Sequence, residues 1–235
     1  MKEMIGIVGG MGSHAAVSLF HQLISRSPAK TDQEYMEILL HNNTRIPDRT
    51  EGILQRGDDP LPELARSIKM LENGGATIIV LACITAHHFY DRLESKARIF
   101  HIVKETSDYV CSACPDLKNV GILATEGTLS TGLWQKEFGK RNVNTITLPD
   151  RDQIHHFNNV VYGPRGIKAG YRDDALKKKL LEGCDKLVDL GAEAIIGACS
   201  ELHLLISKED PQVPYIDAIH VTVDKLIHAY YGDTQ

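Results

Sequence analysis

The chain of 235 residues is poor in aromatic residues and lacks an excess of positive charge. Aromatic side chains make up 6% of the residues, with a single tryptophan, and acidic residues outnumber basic ones by 31 to 26. A net charge of −5 gives no general attraction to phosphate backbones or anionic lipid. No stretch is long and apolar enough to span a bilayer, and the N-terminus runs into glycines rather than into a signal core. We therefore expect a cytoplasmic protein that binds neither nucleic acid nor membranes.

Cysteine is also scarce: the chain has five, an odd number for a disulfide framework. Such usage in a long chain indicates reduced thiols. Cys111 and Cys114 form one C-x-x-C pair, but no second pair completes the four ligands that a zinc site needs. The 11 histidines contain no H-E-x-x-H pattern. We therefore predict no metal site.

Short β-branched runs alternate with longer amphipathic stretches along the chain. This alternation is typical of α/β folds in which helices cover a mostly parallel sheet. Ligands of such folds bind beyond the carboxyl ends of the strands. We predict strands at Met4–Val8, Glu37–Leu40, Thr77–Leu81, Ile99–His101, Val120–Ala124, Asn144–Leu148 and Ala194–Ile196, and helices at Ser13–Arg26, Pro62–Glu72 and Asp173–Leu190.

A nine-residue segment occurs twice in the chain. Residues 75–83, GATIIVLAC, align with residues 191–199, GAEAIIGAC, at an offset of 116 residues and with five identical positions. Residues 5–8 match residues 120–123 more faintly, at an offset of 115 residues. Two agreeing offsets predict two similar α/β halves, each with one strand that ends in Ala-Cys.

The repeat suggests a division of the chain into two domains. We predict that residues 1–103 and 209–235 form the first domain, which carries Cys83, and that residues 104–208 form the second, which carries Cys199. If a pseudo-twofold axis relates the halves, the two cysteines face each other across a cleft.

Cys83 and Cys199 hold equivalent positions in the two halves. Each ends an apolar strand and is followed within two residues by a hydroxyl, Thr85 or Ser200, that opens a predicted helix. A single such cysteine is most often an inert core residue. The matched placement favours function instead, since a helix N-terminus lowers the pKa of a thiol. His87, one helical turn after Cys83, either orients the site or is simply a solvated or packed side chain.

Three loops hold further candidate residues. Gly9-Gly10-Met11-Gly12 lies between a predicted strand and helix, where backbone N–H groups suit an anion; the alternative is a tight turn that only glycine allows. It does not fit the dinucleotide-binding fingerprint. Arg49 and Lys168 lie in two other loops, where they either bind a substrate carboxylate or form a solvated surface.

The ordered motifs resemble the aspartate/glutamate racemase family of pyridoxal-independent enzymes over nearly the whole chain. They are Gly9-Gly10-Met11-Gly12, Ile46-Pro47-Asp48-Arg49-Thr50, Cys83-x-Thr85-Ala86-His87, Ala124-Thr125-x-Gly127-Thr128, Lys168-Ala169-Gly170 and Cys199-Ser200-Glu201. The resemblance implies two similar Rossmann-like domains, each a mostly parallel sheet flanked by helices, related by a pseudo-twofold axis. It also implies a homodimer that needs no cofactor.

The same resemblance implies the roles of individual residues. Cys83 and Cys199 would be catalytic. Ile84 stands where the family usually has an asparagine, so the identity of the substrate stays open. The implied substrate-binding residues are Gly10, Met11, Asn43, Arg49, Ile84, Thr85, Thr125, Thr128, Lys168, Ser200 and Glu201.

We therefore expect a cofactor-independent racemase, an isomerase that acts on aspartate, glutamate or both. One cysteine thiolate removes the α-proton, and the thiol of the other returns a proton on the opposite face. Three alternatives remain at this stage. One is a related cysteine-dependent isomerase or decarboxylase of a small dicarboxylate, and another is a related enzyme in which a single cysteine transfers the proton. The third is a protein that binds a small acid without turning it over.

Overall fold

A computed structural model describes residues 3–232, which form two four-stranded sheets in which every strand pairing is parallel. The strand orders are β2-β1-β3-β4 and β6-β5-β7-β8, so both sheets have the same topology. This confirms the predicted α/β class. The strands are Met4–Gly9 (β1), Glu37–Asn42 (β2), Ile78–Leu81 (β3), Arg98–Phe100 (β4), Asn119–Leu123 (β5), Asn144–Ile146 (β6), Ala194–Gly197 (β7) and Tyr215–Asp217 (β8).

Helices connect successive strands and cover the sheets. The α-helices are Ser13–Ser25 (α1), Arg49–Ile53 (α2), Leu61–Asn73 (α3), Ile102–Ala113 (α4), Glu126–Ser130 (α5), Leu133–Gly139 (α6), Asp150–Asp152 (α7), Asn159–Tyr162 (α8), Asp174–Asp189 (α9) and Ala218–Tyr231 (α10). Short 3-10 helices lie at Asp32–Glu34, Thr85–Arg92, Ile167–Ala169 and Leu202–Leu204, and a π-helix at Gln153–Asn158 joins α7 to α8. Across residues 3–232, no helix has the length and apolar character needed to cross a membrane.

The chain divides into two compact units, Met1–Ile102 with Thr222–Gln235, and Val103–Val221. The second unit therefore extends beyond residue 208, where we predicted its end. The reason is β8, which pairs with β7 in the second sheet. The sequence analysis did not predict this strand, which lies between Pro214 and α10.

The two units repeat one another down to single hydrogen bonds. The N–H of Ala82, just after β3, donates to the carbonyl oxygen of Val8 at 3.0 Å. The N–H of Ala198, just after β7, donates to the carbonyl oxygen of Leu123, also at 3.0 Å. The two donor residues are 116 residues apart and the two acceptor residues are 115 residues apart, which are the offsets of the sequence repeat. The internal repeat is thus a repeat of structure as well.

The helices α3 and α9 precede β3 and β7 and show why the sequence folds this way. Each is amphipathic and buries leucines at helical spacing against its own sheet, including Leu64 and Leu71 in α3. The side chain of Asp173 caps α9 by accepting the N–H of Leu176 at 3.0 Å. After the helices, Gly75 and Gly191 both have a φ of 99°, a left-handed conformation that turns the chain into the next strand.

The units differ at one point next to the second cysteine. Tyr215 stands in β8 where Ile99 stands in β4, and Gly197 stands in β7 where Leu81 stands in β3. A Cβ atom built on Gly197 would lie 2.1 Å from the hydroxyl oxygen of Tyr215. Gly197 therefore leaves space for the buried tyrosine ring. The second unit combines one small and one large residue where the first unit has two residues of medium size, so the space stays filled.

Candidate active site

Cys83 lies two residues beyond the carboxyl end of β3, at the edge of the apolar core of its unit. It is 6% exposed and packs in a cluster that includes Val8, Met11 and Ala86. The N–H of Ala86 donates to the carbonyl oxygen of Cys83 at 3.2 Å, which starts the 3-10 helix that follows. The thiol is therefore held on a closed turn at the edge of the sheet where ligands of α/β folds bind.

Cys199 has the equivalent position in the second unit. It lies two residues beyond the carboxyl end of β7, is also 6% exposed, and packs in a cluster with Leu123 and Tyr215. The N–H of Leu202 donates to its carbonyl oxygen at 3.1 Å. The helical segment after it, Leu202–Leu204, has only three residues and so carries little of the dipole that we expected to act on this thiol.

The glycine-rich loop after β1 meets the loop after β2. Gly10 has a φ of 86°, and a Cβ atom built on it would lie 2.2 Å from the backbone of Asn43, so the close approach requires glycine. Arg49 is 6% exposed and ties the two loops together. Its Nη2 donates to the carbonyl oxygen of Met11 at 3.0 Å, and its Nη1 donates to that of Pro47 at 2.9 Å. A buried positive charge thus lies beside the predicted anion-binding loop.

Asn43 uses both polar atoms of its side chain to organise this loop. Its Nδ2 donates to the side chains of Glu63 at 2.9 Å and Ser67 at 2.8 Å. Its Oδ1 accepts from the N–H of Arg45 at 3.1 Å and from Arg66 at 2.9 Å. These bonds give Asn43 a structural role; its predicted contact with substrate stays a prediction.

Ile84 and Thr85 follow Cys83 and are both buried, at 1% and 5% exposure. The 3-10 helix that Thr85 opens packs against α2, the helix that begins at Arg49. The structure therefore brings together, at one edge of the first sheet, the seven residues that we predicted there: Gly10, Met11, Asn43, Arg49, Cys83, Ile84 and Thr85.

Thr125 and Thr128 form a capped turn directly after β5. The Oγ1 atom of Thr125 accepts the N–H of Thr128 at 3.1 Å, and the two hydroxyl oxygens lie 2.9 Å apart. Both side chains are buried. Since β5 and β7 are neighbours and parallel, this turn and the Cys199 turn lie at the same edge of the second sheet.

Lys168 and Glu201 come from distant parts of the sequence and meet in the second unit. The Nζ atom of Lys168 lies 3.5 Å from Oε1 of Glu201 and 5.4 Å from the centre of the Tyr162 ring. Glu201 is 1% exposed, whereas the lysine side chain is 24% exposed. Ser200, between Cys199 and Glu201, is also buried. The pair therefore offers a partly accessible ammonium group, held by a carboxylate that lies two residues after the second cysteine.

His87 is buried under the Cys83 turn, which excludes a solvated ring. Its Nδ1 atom lies 3.2 Å from the carbonyl oxygens of both Cys83 and Ile84. Burial lowers the pKa of His87 to about 4, with a smaller contribution from His101. The ring is therefore neutral near pH 7 and holds the turn rather than facing solvent.

Several buried polar groups near the second cysteine were not predicted. Gln153 lies in the π-helix, and its amide nitrogen donates to the carbonyl oxygen of Ala124, the residue before Thr125, at 2.8 Å. Burial raises the pKa of Asp217 to about 7, although two backbone N–H groups bind its Oδ1 atom. The only sequence signal for these groups is proximity to strand ends, because single polar residues between elements follow no periodic pattern.

All five cysteines are reduced. Cys184 is buried in α9, and burial raises its pKa to about 12, which indicates a packing role. Burial also raises the pKa of Cys111. Within residues 3–232, no three His, Cys, Asp or Glu side chains are arranged to hold a metal ion.

Comparison with known proteins connects this geometry to a family. The model of the Asp/Glu/Hydantoin racemase family matches residues 8–226. The chain is 23% identical over 233 residues to the broad specificity amino-acid racemase RacX of Bacillus subtilis (strain 168), covering 97% of this chain and 98% of that protein.

Two solved structures show the same fold. The aspartate racemase of Picrophilus torridus is 26% identical with a TM-score of 0.81, covering 97% of this chain and 94% of that chain. The glutamate racemase of Francisella tularensis subsp. tularensis SCHU S4, in complex with D-glutamate, is 17% identical with a TM-score of 0.72, covering 100% of this chain and 85% of that chain. Since the family model spans most of the chain, the protein belongs to the Asp/Glu/Hydantoin racemase family and is an isomerase of the amino-acid racemase type.

Proposed function

We propose that the protein is a cofactor-independent racemase of an acidic amino acid, aspartate or glutamate, with Cys83 and Cys199 as its two acid–base groups. The observation that supports this most is the matched position of the two cysteines. Each lies two residues beyond the end of the equivalent strand in its sheet and is 6% exposed. One thiol beyond the end of the equivalent strand in each unit supplies the two groups that a two-base reaction requires.

The reaction needs one group on each face of the α-carbon. The thiolate of one cysteine takes the α-proton, so that an S–H bond forms, the Cα–H bond breaks and its electron pair moves into the α-carboxylate. The S–H of the other cysteine then donates its proton to the opposite face, and that sulfur becomes the thiolate. The two cysteines exchange roles for the other enantiomer, and no oxidant or cofactor is consumed.

Positive charge must stabilise the carbanion, because the α-carboxylate carries additional negative charge in this intermediate. Arg49 supplies a buried guanidinium beside the glycine-rich loop. Lys168 supplies a partly exposed ammonium group that Glu201 holds in place. Two cationic groups suit a substrate with two carboxylates, which is the reason for proposing an acidic amino acid.

The relatives support this substrate class but also name a wider one. The similar structures include an aspartate racemase and a glutamate racemase in complex with D-glutamate. The racemase RacX is named as broad in specificity. Ile84, which is buried and apolar beside Cys83, removes the amide that the family resemblance implies at this position. The substrate must therefore be found by a test that covers many amino acids.

An exchange experiment by proton NMR in heavy water tests substrate and chemistry together. Each amino acid is supplied separately as the L and the D enantiomer, and loss of the α-proton signal is followed with chiral analysis of the product. We expect deuterium on the α-carbon of the product enantiomer for aspartate or glutamate. Exchange with neutral amino acids at equal rates would refute the acidic preference, and binding without any exchange would refute catalysis.

Serine substitutions test the two cysteines. We expect Cys83→Ser and Cys199→Ser each to lower kcat at least about 100-fold, since general acid–base groups contribute about 10² to 10⁴. Cys111→Ser is the matched control, because this cysteine lies in α4 away from the strand ends, and it should keep the wild-type rate. If either active-site variant keeps its rate while folded, the two-base mechanism is wrong. The homodimer, the cytoplasmic location and the independence from cofactors stay predictions from the sequence.

A further inference from the structure

Two histidines occupy matched positions behind the two cysteines. His87 lies four residues after Cys83, and His203 lies four residues after Cys199. The histidines are separated by 116 residues, as the cysteines are. The duplication has therefore kept a Cys-x-x-x-His arrangement in both units, although the residues between differ.

In the first unit, the hydrogen bonds fix which nitrogen of His87 carries the proton. The backbone N–H of Ile102 donates to Nε2 at 3.2 Å, so Nε2 is the unprotonated nitrogen. The proton is then on Nδ1, which donates to the carbonyl oxygens of Cys83 and Ile84, each at 3.2 Å. The carbonyl oxygen of Phe100 also lies 3.3 Å from Nε2 but accepts no proton from it in this tautomer. Both ring nitrogens thus bind backbone, and neither is available to exchange a proton with a thiol.

In the second unit, His203 holds the matched place in the repeat. Burial, with a smaller contribution from His220, lowers the pKa of His203 to about 4, while the backbone of Ser200, the residue that corresponds to Ile84, opposes this shift. Both rings are therefore neutral near pH 7, and the contacts with carbonyl oxygens that fix a turn are those of His87.

We propose that His87 is a positioning residue, which fixes the backbone turn that aims Cys83 at the α-carbon, and that His203, at the matched place in the repeat, does the same for Cys199. The inference rests on the proposed two-cysteine mechanism. Displacement of a reacting group by about 1 Å can cost about 100-fold in rate, so a fixed turn is required on both sides of the substrate. The role differs from that of a catalytic Cys-His pair, in which the imidazole exchanges a proton with the sulfur.

Two substitutions at each histidine separate positioning from simple packing. In His87→Asn, the side-chain amide keeps a donor near the place of Nδ1 and can still bind the turn. In His87→Leu, the volume is similar but the donor is lost. The variants His203→Asn and His203→Leu make the same comparison in the second unit. His88→Leu is the control, since His88 is the exposed neighbour of His87.

The first readout does not depend on activity. The rate of iodoacetamide alkylation is measured separately for Cys83 and Cys199, by peptide mass spectrometry across a range of pH. We expect His87→Leu to increase the rate at Cys83 at least fivefold, because the buried thiol becomes accessible when its turn loosens, and to leave Cys199 within twofold of wild type. We expect His203→Leu to show the reverse pattern.

The second readout is the kinetics on the substrate found by exchange. We expect each leucine variant to lower kcat about 10-fold to 100-fold with KM within threefold, and each asparagine variant to recover most of the loss. A folded leucine variant with wild-type alkylation and wild-type kcat would overturn the proposal. So would an asparagine variant as impaired as the leucine variant. Failure of the two-cysteine mechanism would show separately, as racemisation that survives Cys83→Ser while the alkylation pattern is as expected.

Discussion

The contact between Gly197 and Tyr215 predicts that adding a single methyl group beside the second cysteine destabilises the fold. In Gly197→Ala, the new Cβ atom would lie 2.1 Å from the hydroxyl oxygen of Tyr215 and 2.7 Å from the ring carbon that bears it. Ordinary contacts between such atoms are longer by about 1 Å or more. Tyr215 is only 6% exposed, so its ring has little room to move away. Overpacking of this kind costs about 1 to 3 kcal/mol.

The hydroxyl group of Tyr215 allows a second substitution to relieve the first. Within residues 3–232, this oxygen is buried and accepts or donates no hydrogen bond. A buried hydroxyl without a partner costs about 1 to 3 kcal/mol, so Tyr215→Phe should raise the free energy of unfolding. It also removes the atom nearest to the new methyl group. We therefore expect the double variant to be more stable than the sum of the single changes predicts, by about 1 kcal/mol.

Urea-induced unfolding followed by circular dichroism measures these differences as shifts of the transition midpoint. Gly139→Ala is the matched control, because a Cβ atom built on Gly139 meets nothing within 4 Å. It should change stability by less than about 1 kcal/mol. Two results would refute the reasoning: a Gly197→Ala variant as stable as the control, or a Tyr215→Phe variant less stable than wild type, which would mean that the hydroxyl has a partner.

Two further predictions concern the first unit. Gly10→Ala should destabilise by at least about 2 kcal/mol in the same assay, because a Cβ atom would lie 2.2 Å from the backbone of Asn43 and φ is 86°; a variant with the midpoint of Gly139→Ala would contradict this. Acid should destabilise the fold through His87, whose pKa falls from 6.5 to about 4 on folding, so that the unfolded chain binds the proton more tightly. The full stabilisation is present above pH 6.5 and is lost progressively as the pH falls towards 4. The loss amounts to about 2 kcal/mol at pH 5. The free energy of unfolding of wild type should therefore approach that of His87→Asn on acidification, and parallel curves for the two proteins would show that His87 does not titrate in this way.

Much of the architecture could be predicted because it depends on local pattern. Apolar and β-branched runs of three to five residues predicted seven of the strands, and the repeat of Gly-Ala with Ala-Cys indicated that the chain contains two similar halves. The strand β8 was not predicted: it lies directly between Pro214 and α10, and Ile216 is its one β-branched residue. Because β8 was not predicted, we placed the end of the second domain at residue 208, whereas the second unit of the structure ends at Val221.

Candidate residues could be predicted where they belong to a motif. Cys83 and Cys199 follow from the repeat, and the structure places both at the carboxyl ends of equivalent strands. The role of His87 could not be read from the sequence, since a histidine on a helical turn is equally compatible with solvent and with the interior. Its match with His203 was accessible from the offset of 116 residues, but only the contacts of His87 with two backbone carbonyl oxygens give that match a meaning.

The sequence by itself determined the α/β class, the duplication and the two cysteines, because each depends on residue type and on spacing along the chain. The tertiary structure alone decided which polar groups are buried and what they bind. It brought Arg49 to the carbonyl oxygen of Met11 and Lys168 to Glu201, over separations of 38 and 33 residues. Such contacts arise when parallel strands place the loops that follow them at one edge of a sheet, and nothing in the local sequence records which side chains then meet.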